Sequence, residues 1–359
     1  VVVGAGIGGL ATAVALARSG IAVDVLERRP QLPETGTALG MWPQAVRALD
    51  RLGRGEELRR LAFPQTQGWV RRWDGAPLFR IDVREPTWLI SRPPLLQLLY
   101  RSVPAGSVAF GAAVDRLDEL AGYDLVVVAD GSHSRLRDEA WGPEARPRPL
   151  PLRVWRGTLP GARSTTEESW GPGALWGLTP REDGRTNWFG CVHHDLTGDR
   201  WDADVLAEVY EEWHADVRRS VEEIVAGESD GEPVLIHDLA QSPPLRSYVH
   251  GRVALVGDAA HTMVPNLGRG ACEAILDGVA LGQALLEQPR AEDALQAYDR
   301  ARRRRAQRLV HGAYLTSRLA LARRGTRSRD AVLRAVSLMA PGNRPALESP
   351  AGLAAGGAR

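Results

Sequence analysis

The 359-residue sequence contains no lysine: all 45 of its basic residues are arginine. That excludes a Walker-type phosphate lysine, a Schiff base and any catalytic ammonium group. Cysteine is scarce too. Cys191 and Cys272 stand far apart, so they make neither a disulfide framework nor a zinc spacing, and no metal site is expected. A reducing, cytoplasmic compartment is the expectation. No apolar run reaches the ~18–20 residues of a membrane-crossing helix, and no signal peptide is visible. Net charge is only +1, so no global field recruits nucleic acid or a membrane surface.

What is present begins at the first residue, with "VVVGAGIGGL". Val1 to Val3 have the continuous apolar character of a strand buried on both faces. Val1 already lies inside this strand pattern, so the native chain is expected to begin a few residues earlier. Leu10 to Ser19 read as a helix that Gly20 ends, and Ile21 to Glu27 as a second strand. Between the first strand and the helix stand Gly4, Gly6 and Gly9, spaced G-x-G-x-x-G. The first allows a tight turn, the second close approach of backbone to a pyrophosphate, and the third close helix–strand packing. The helix amino end adds free N–H groups and positive partial charge. Glu27, followed by Arg28, ends the second strand where a carboxylate accepts from ribose hydroxyls. A carboxylate disfavours a 2′-phosphate, so the loop suits FAD or NAD better than NADP.

Two more apolar runs, residues 124–130 and 252–258, also end in polar, glycine-bearing loops. In an open α/β sheet that edge is where ligands bind. Between them the texture changes to a hairpin signal at Asp74-Gly75 and to short Trp-rich runs over 153–243. The expected fold is α/β: a Rossmann-like dinucleotide-binding domain built from residues 1–67, 84–152 and 244–290. Residues 68–83 and 153–243 form an inserted, mostly antiparallel β-sheet substrate domain. C-terminal helices occupy 291–340, and a flexible tail 341–359. Arg302 to Arg305 are read as a solvated helix face in preference to a nucleic-acid patch.

Three motifs now stand in order. After the glycine loop come "DGSHSRLR", with Asp130, Gly131, Ser134 and Arg137, and "GDAAHTMVPNLGRGAC", with Gly257, Asp258, His261, Pro265, Gly268 and Gly270. Together they resemble the class A, single-component FAD-dependent monooxygenases, the group of para-hydroxybenzoate and salicylate hydroxylases, over most of the chain from Val1 to about Ala320. The resemblance implies that Gly4, Gly6, Gly9, Glu27 and Arg28 hold the ADP half of FAD. Arg92 would reach the phosphates, Val114 the adenine through its backbone, and Asp258 the ribityl chain. Asp130 would support FAD. Backbone N–H groups from Gly268, Arg269, Gly270, Ala271 and Cys272 would face the flavin N1/C2 carbonyl region. His261 is read as structural, and Cys272 as packing. The sequence departs from the family at Arg269, where relatives often carry glutamine, and at Cys272, where they carry asparagine.

The resemblance further implies NAD(P)H as a transient electron donor without a domain of its own. Oxygen would pass from a flavin C4a-hydroperoxide to an aromatic or other electron-rich small molecule, by hydroxylation or epoxidation; the all-arginine basic content points to a GC-rich bacterium and natural-product metabolism as a setting. No catalytic base is evident, and Pro265 and Gly268 are the candidates at the reactive flavin face. The tryptophan-rich sheet suits a flat substrate, with Trp176, Trp188, His193 and Pro265 as candidate contacts. A flavin-dependent halogenase would need a lysine and a W-x-W-x-I-P stretch, and neither occurs. A reductase or a catalytically silent FAD-binding protein on the same fold remain the other readings.

Overall fold

The computed structural model describes residues 1–202, 204–227 and 232–339; the expected tail at 341–359 lies outside them. Its nucleotide layer is a six-stranded sheet ordered Val249–His250, Val253–Leu255, Val126–Val128, Val2–Val3, Val25–Glu27 and Val108–Phe110. All neighbours are parallel except the first pair. Val2, Val25, Val127 and Leu255 are fully buried, as strands covered on both faces must be.

The helix Ile7–Arg18 follows the first strand and ends at Gly20, whose φ is +75°. The 18-residue helix Gly270–Glu287 packs against it. A Cβ on Gly278 would lie 2.6 Å from the Thr12 backbone nitrogen, and one on Gly282 would lie 2.8 Å from the Ala15 Cβ. Glycine at those two positions therefore lets the helices approach at backbone contact. This packing fixes the start of the second helix relative to the glycine loop.

An eight-stranded sheet forms the second layer. Its order is Leu235–Gln241, Arg148–Leu159, Thr186–His193, Ala174–Pro180, Thr166–Trp170, Phe63–Arg72, Pro77–Ser91 and Ala38–Met41. Only the pairing of Phe63–Arg72 with Thr166–Trp170 is parallel. The hairpin turns at Asp74-Gly75 as its sequence requires, with Gly75 at φ +89°. Its arms run over residues 63–91 rather than 68–83, and residues 38–41 and 148–152 also join the sheet. The long arms mix exposed and half-buried positions without a regular period, and Pro64, Pro77 and Pro86 interrupt the sequence pattern along them.

The two faces of this sheet have different partners. The back face buries Trp155, Trp176 and Trp188 beneath the helices Asp204–Tyr210 and Ala215–Val225. The front face carries Val154, Leu175 and Cys191, and packs with Val264, Ala313 and Ala320. Ala313 and Ala320 belong to the 30-residue helix Ala291–Ala320, which precedes the last helix, Thr326–Met339. Among the described residues no helix is long and apolar enough to cross a membrane, and no side-chain cluster could hold a metal ion.

Candidate active site

The loops that leave the carboxyl ends of the parallel strands converge on one edge. Gly4 sits at φ +105°, and a Cβ there would lie 2.5 Å from the Ala129 carbonyl oxygen. A Cβ on Gly9 would fall 1.8 Å from the Gly4 carbonyl oxygen, whereas one on Gly6 would meet nothing within 4 Å. Gly4 and Gly9 thus allow the turn to close, and Gly6 faces open space at the uncapped start of the helix. The Glu27 carboxylate accepts from the Ala5 N–H at 2.7 Å and the Arg29 N–H at 2.9 Å. It is held at the rim of the loop, with Arg28 exposed beside it and Val114 partly buried against the core.

Asp130 follows the Val126–Val128 strand. Its Oδ1 is buried without a partner, and burial raises its pKa against the opposing Ser134 hydrogen bond and the Arg137 and Arg28 charges. Arg137 is itself buried and donates to the Ser132 carbonyl at 3.0 Å and to Asp138 at 2.9 Å, so it braces the loop.

Asp258 opens the short helix Asp258–His261 but does not cap it; Gly257 occupies the cap position, and no side chain bonds there. Its exposed carboxylate instead attracts two arginines, Arg92 and Arg156. Arg92 is open to solvent yet crowded by protein, as a group lining a cleft is. That crowding lowers its pKa, and the Asp258 charge opposes the shift.

Beyond Asp258, Pro265–Leu267 forms one 3₁₀ turn, and Gly268, at φ +58°, donates its N–H to the Pro265 carbonyl at 2.7 Å. The helix Gly270–Glu287 then starts with no side-chain cap on Arg269. The N–H groups of Gly270, Ala271 and Cys272 therefore have no intrahelical acceptor and present positive partial charge. Gly270 faces open space. An open glycine turn, an orphaned buried carboxylate oxygen and an uncapped helix start on one edge fit a dinucleotide with an extended anionic middle.

A family profile described as FAD binding domain matches residues 122–313, and one described as FAD dependent oxidoreductase matches residues 1–91. The chain is 32% identical over 341 residues to the aurachin C monooxygenase/isomerase of Stigmatella aurantiaca, covering 87% of each protein. It is 32% identical over 344 residues to a Klebsiella pneumoniae FAD-dependent urate hydroxylase, covering 86% of this chain and 87% of the relative. The chain belongs to the class A FAD-dependent monooxygenases. A crystal structure of Klebsiella pneumoniae HpxO complexed with FAD and uric acid superposes with a TM-score of 0.83 at 26% identity, over 93% of this chain and 92% of that one. FAD is the cofactor of this monooxygenase, and the edge described above is where its residues would hold it.

The monooxygenase does not use its tryptophans as the sequence suggests. Trp176 and Trp188 are at most 1% exposed and stack at 5.1 Å with a 10° interplanar angle, and Tyr210 meets Trp176 edge-on. They form the back core of the large sheet, away from the loop of residues 262–268. Side chains alternate along a strand, and the helices over residues 204–225 claim the tryptophan face. His193 is corrected too. It caps the short helix His194–Thr197 by accepting from the Asp195 N–H at 3.3 Å. Pro265, the other candidate contact, is exposed at the head of its 3₁₀ turn, and its carbonyl accepts from the Gly268 N–H.

The front face carries polar groups that sequence reasoning passed over. Arg156 pairs in register with Phe189, Phe189 with Gly177, and Gly177 with Glu168. These residues form one row on one face. A Cβ on Gly177 would lie 2.0 Å from the Phe189 Cζ, so the edge of the Phe189 ring covers the glycine. Phe189 packs in the cluster that contains Val264 and Leu267. Arg156 donates to His237 Nε2, and its Nε is buried without a partner. Burial and the Arg92 charge push the Arg156 pKa down to about 10, against the pull of Asp258. Burial and the Arg156 charge push His237 down to about 4, so it is the neutral member of the pair.

A second group lies behind the loop of residues 257–268. Asp277 accepts from the Gly257 N–H at 2.9 Å, from His261 Nε2 at 2.6 Å and from Arg302 Nε at 2.7 Å. Arg302 also reaches Glu273 at 2.6 Å, and Glu273 accepts from Arg269 at 3.2 Å. Arg302 is therefore buried rather than solvated, and Arg269 is tied down with its guanidinium 5.3 Å from the Trp42 ring centre. The signal was present in sequence: Glu273 and Asp277 are four apart on an otherwise apolar helix, and buried carboxylates require a cation. His261 keeps its structural reading. Cys272 also does: its thiol donates to the Gly40 carbonyl at 3.1 Å, and burial pushes its pKa up to about 11.

Asp258→Ala is expected to weaken FAD retention. It removes the exposed acceptor beside Arg92 and Arg156, and a charge-assisted hydrogen bond contributes roughly 1.5–3 kcal/mol, about 10–100-fold in Kd. Fluorescence titration of the apoprotein with FAD measures it, and an unchanged Kd removes Asp258 from the cofactor site.

Proposed function

We propose that this monooxygenase is a cytoplasmic hydroxylase of a planar aromatic molecule bearing an anionic or acidic group, with NAD(P)H as transient electron donor and O2 as the oxygen source. The observation that carries the reading is Arg156. Its Nε is a buried donor with no acceptor, and its register partner Phe189 packs toward the flavin loop. A cation with an unused donor beside an aromatic floor selects a flat anion. The relatives named for urate act on a molecule of that description.

FAD, when bound, supplies the redox chemistry that connects the nicotinamide donor to dioxygen. The chain's own residues do the rest. The uncapped start of Gly270–Glu287 stabilises negative charge near the flavin ring. Phe189 holds the substrate plane, and Arg156 fixes its orientation, which places the reacting carbon over the loop at residues 262–268. Val264 and Leu267 close that space with apolar surface, which keeps water out.

The test is a screen of aromatic acids, uric acid included, for accelerated NADH or NADPH oxidation by the FAD-loaded protein, with product mass spectrometry under ¹⁸O2. One labelled oxygen in the product is expected. Label drawn from water, or NAD(P)H oxidation that no compound accelerates, counts against the reading; the latter fits a silent flavoprotein. For a compound that is turned over, Arg156→Met is expected to raise KM about 10–100-fold while FAD stays bound. An unchanged KM removes Arg156 from the substrate.

A further inference from the structure

The row that starts at Arg156 ends at Glu168, three interstrand steps or roughly 14 Å away between Cα atoms. Glu168 lies on the strand Thr166–Trp170, on the same face as Phe189 and opposite Gly177. One of its oxygens accepts from Trp170 Nε1 at 2.9 Å. No other described residue donates to the carboxylate. Glu168 is half-buried, on the face that carries Phe189 and Cys191.

The neighbours of Glu168 leave it unpaired. Cys191, on the same face, is held neutral by burial and by the Glu168 charge, which push its thiol up to about 12. Glu167 and Arg71 pair with each other at 3.3 Å, and Glu167 alternates to the other face of the sheet. Arg329 is committed to Asp330 and to the Ala320 carbonyl, both at 2.8 Å, and its guanidinium carbon lies 5.9 Å from the Trp170 ring centre. Val70, in register with Glu168 on the next strand, and Phe79, in register with Val70, continue the row without charge. No cation therefore neutralises Glu168, and burial raises its pKa against the Trp170 hydrogen bond. That shift brings a carboxylate closer to the range of phenols and ring N–H acids, where proton exchange with them is efficient.

We propose that Glu168 is the catalytic proton acceptor of this monooxygenase, taking the proton of a hydroxyl or ring N–H on an aromatic substrate that lies over Phe189. The substrate O–H or N–H bond breaks, and its electron pair stays on the substrate. The proton forms a new O–H bond on the Glu168 carboxylate, and no electron leaves the molecule. The ring becomes an anion, which makes its carbons better nucleophiles toward an electrophilic oxygen. Arg156 at the other end of the row stabilises the charge. The assignment rests on the reading of the Phe189 face as the substrate cradle.

The probe is 4-nitrophenol, whose phenolate absorbs in the visible and whose neutral form does not. FAD-loaded wild type, Glu168→Gln and Glu168→Asp are titrated with it at about pH 6, below the probe's own ionisation range. The glutamine variant keeps an acceptor for Trp170, and FAD content checks that all three proteins are folded. Wild type is expected to bind the probe saturably and to show the phenolate band. Glu168→Gln should show about tenfold less phenolate per bound probe, the equivalent of one pKa unit, and Glu168→Asp an intermediate amount. Equal phenolate in wild type and Glu168→Gln, or none in wild type, overturns the role of Glu168 while leaving the cradle intact. Absence of saturable binding by wild type overturns the cradle reading itself.

Discussion

Arg302→Met is expected to destabilise the folded monooxygenase by about 3–5 kcal/mol. Arg302 is 4% exposed, and it is the shared cation of Glu273 and Asp277, both fully buried. Methionine matches much of the side-chain volume but removes the cation that the two buried carboxylates share, leaving Asp277 with His261 and Glu273 with Arg269 alone. The cost is buried negative charge that the remaining partners only half compensate. Chemical denaturation followed by tryptophan fluorescence measures the change, and a shift below 1 kcal/mol would mean that water or rearrangement compensates. FAD binding should weaken as well, because Asp277 accepts from the Gly257 N–H and Glu273 anchors Arg269 at the start of the helix Gly270–Glu287.

The same group of residues makes stability depend on pH in a defined direction. Burial favours neutral Asp277, but the His261 and Arg302 charges outweigh it and hold the carboxyl below its ordinary value. Its contribution is present above the usual carboxylate range and is lost as pH falls through the lowered value. Burial also opposes protonation of His261, and the Asp277 charge and hydrogen bond raise its pKa nevertheless. That contribution is complete below the ordinary imidazole value and is lost as pH rises through the raised one. The pair therefore stabilises most between about pH 4 and 6.5.

Much of the nucleotide layer is legible in sequence because its signals are local. A valine run, a glycine turn and an apolar helix each fit in about ten residues, and their order along the chain matches their order at the sheet edge. Gly4, Gly6, Gly9, Asp130 and Asp258 fall where the motifs place them, at the ends of parallel strands. The substrate face is not local. Trp188 and Phe189 are adjacent, and periodicity shows only that they point in opposite directions. Which of them faces the loop of residues 262–268 is decided by the helices over residues 204–225, which cover the tryptophan side. The row from Arg156 to Glu168 is further from sequence still. It exists only once four strands are paired in register, and two of its members stand in the short runs "VWRG" and "TEESW", which carry no motif. Arg302 was hidden differently: it begins a run of four arginines, and only the helix phase separates the buried one from the rest.

Gly9→Ala and Gly6→Ala are expected to damage the protein by different routes, although both add one methyl group to the same loop. At Gly9 the new Cβ would sit 1.8 Å from the Gly4 carbonyl oxygen, with the Ala129 Cβ at 3.3 Å on another side. The obstacle is backbone, so either the helix Ile7–Arg18 must move off the strand or the turn at Gly4 must open. Overpacking of that kind costs on the order of 1–3 kcal/mol, and it deforms the loop before any cofactor arrives. FAD affinity should fall by at least about 100-fold, because the loop amides no longer converge. At Gly6 a Cβ meets nothing within 4 Å, and the backbone there is extended at φ −74°. Alanine should therefore leave the melting temperature of the FAD-free protein unchanged. The methyl group would nevertheless occupy the open space in which a pyrophosphate approaches the helix start, so the Gly6→Ala apoprotein should fold normally and still lose FAD affinity. Thermal unfolding of the two apoproteins, paired with FAD titration of each, separates the cases. If Gly6→Ala binds FAD as tightly as wild type, the cofactor does not pass over Gly6, and the open face of that glycine has some other use.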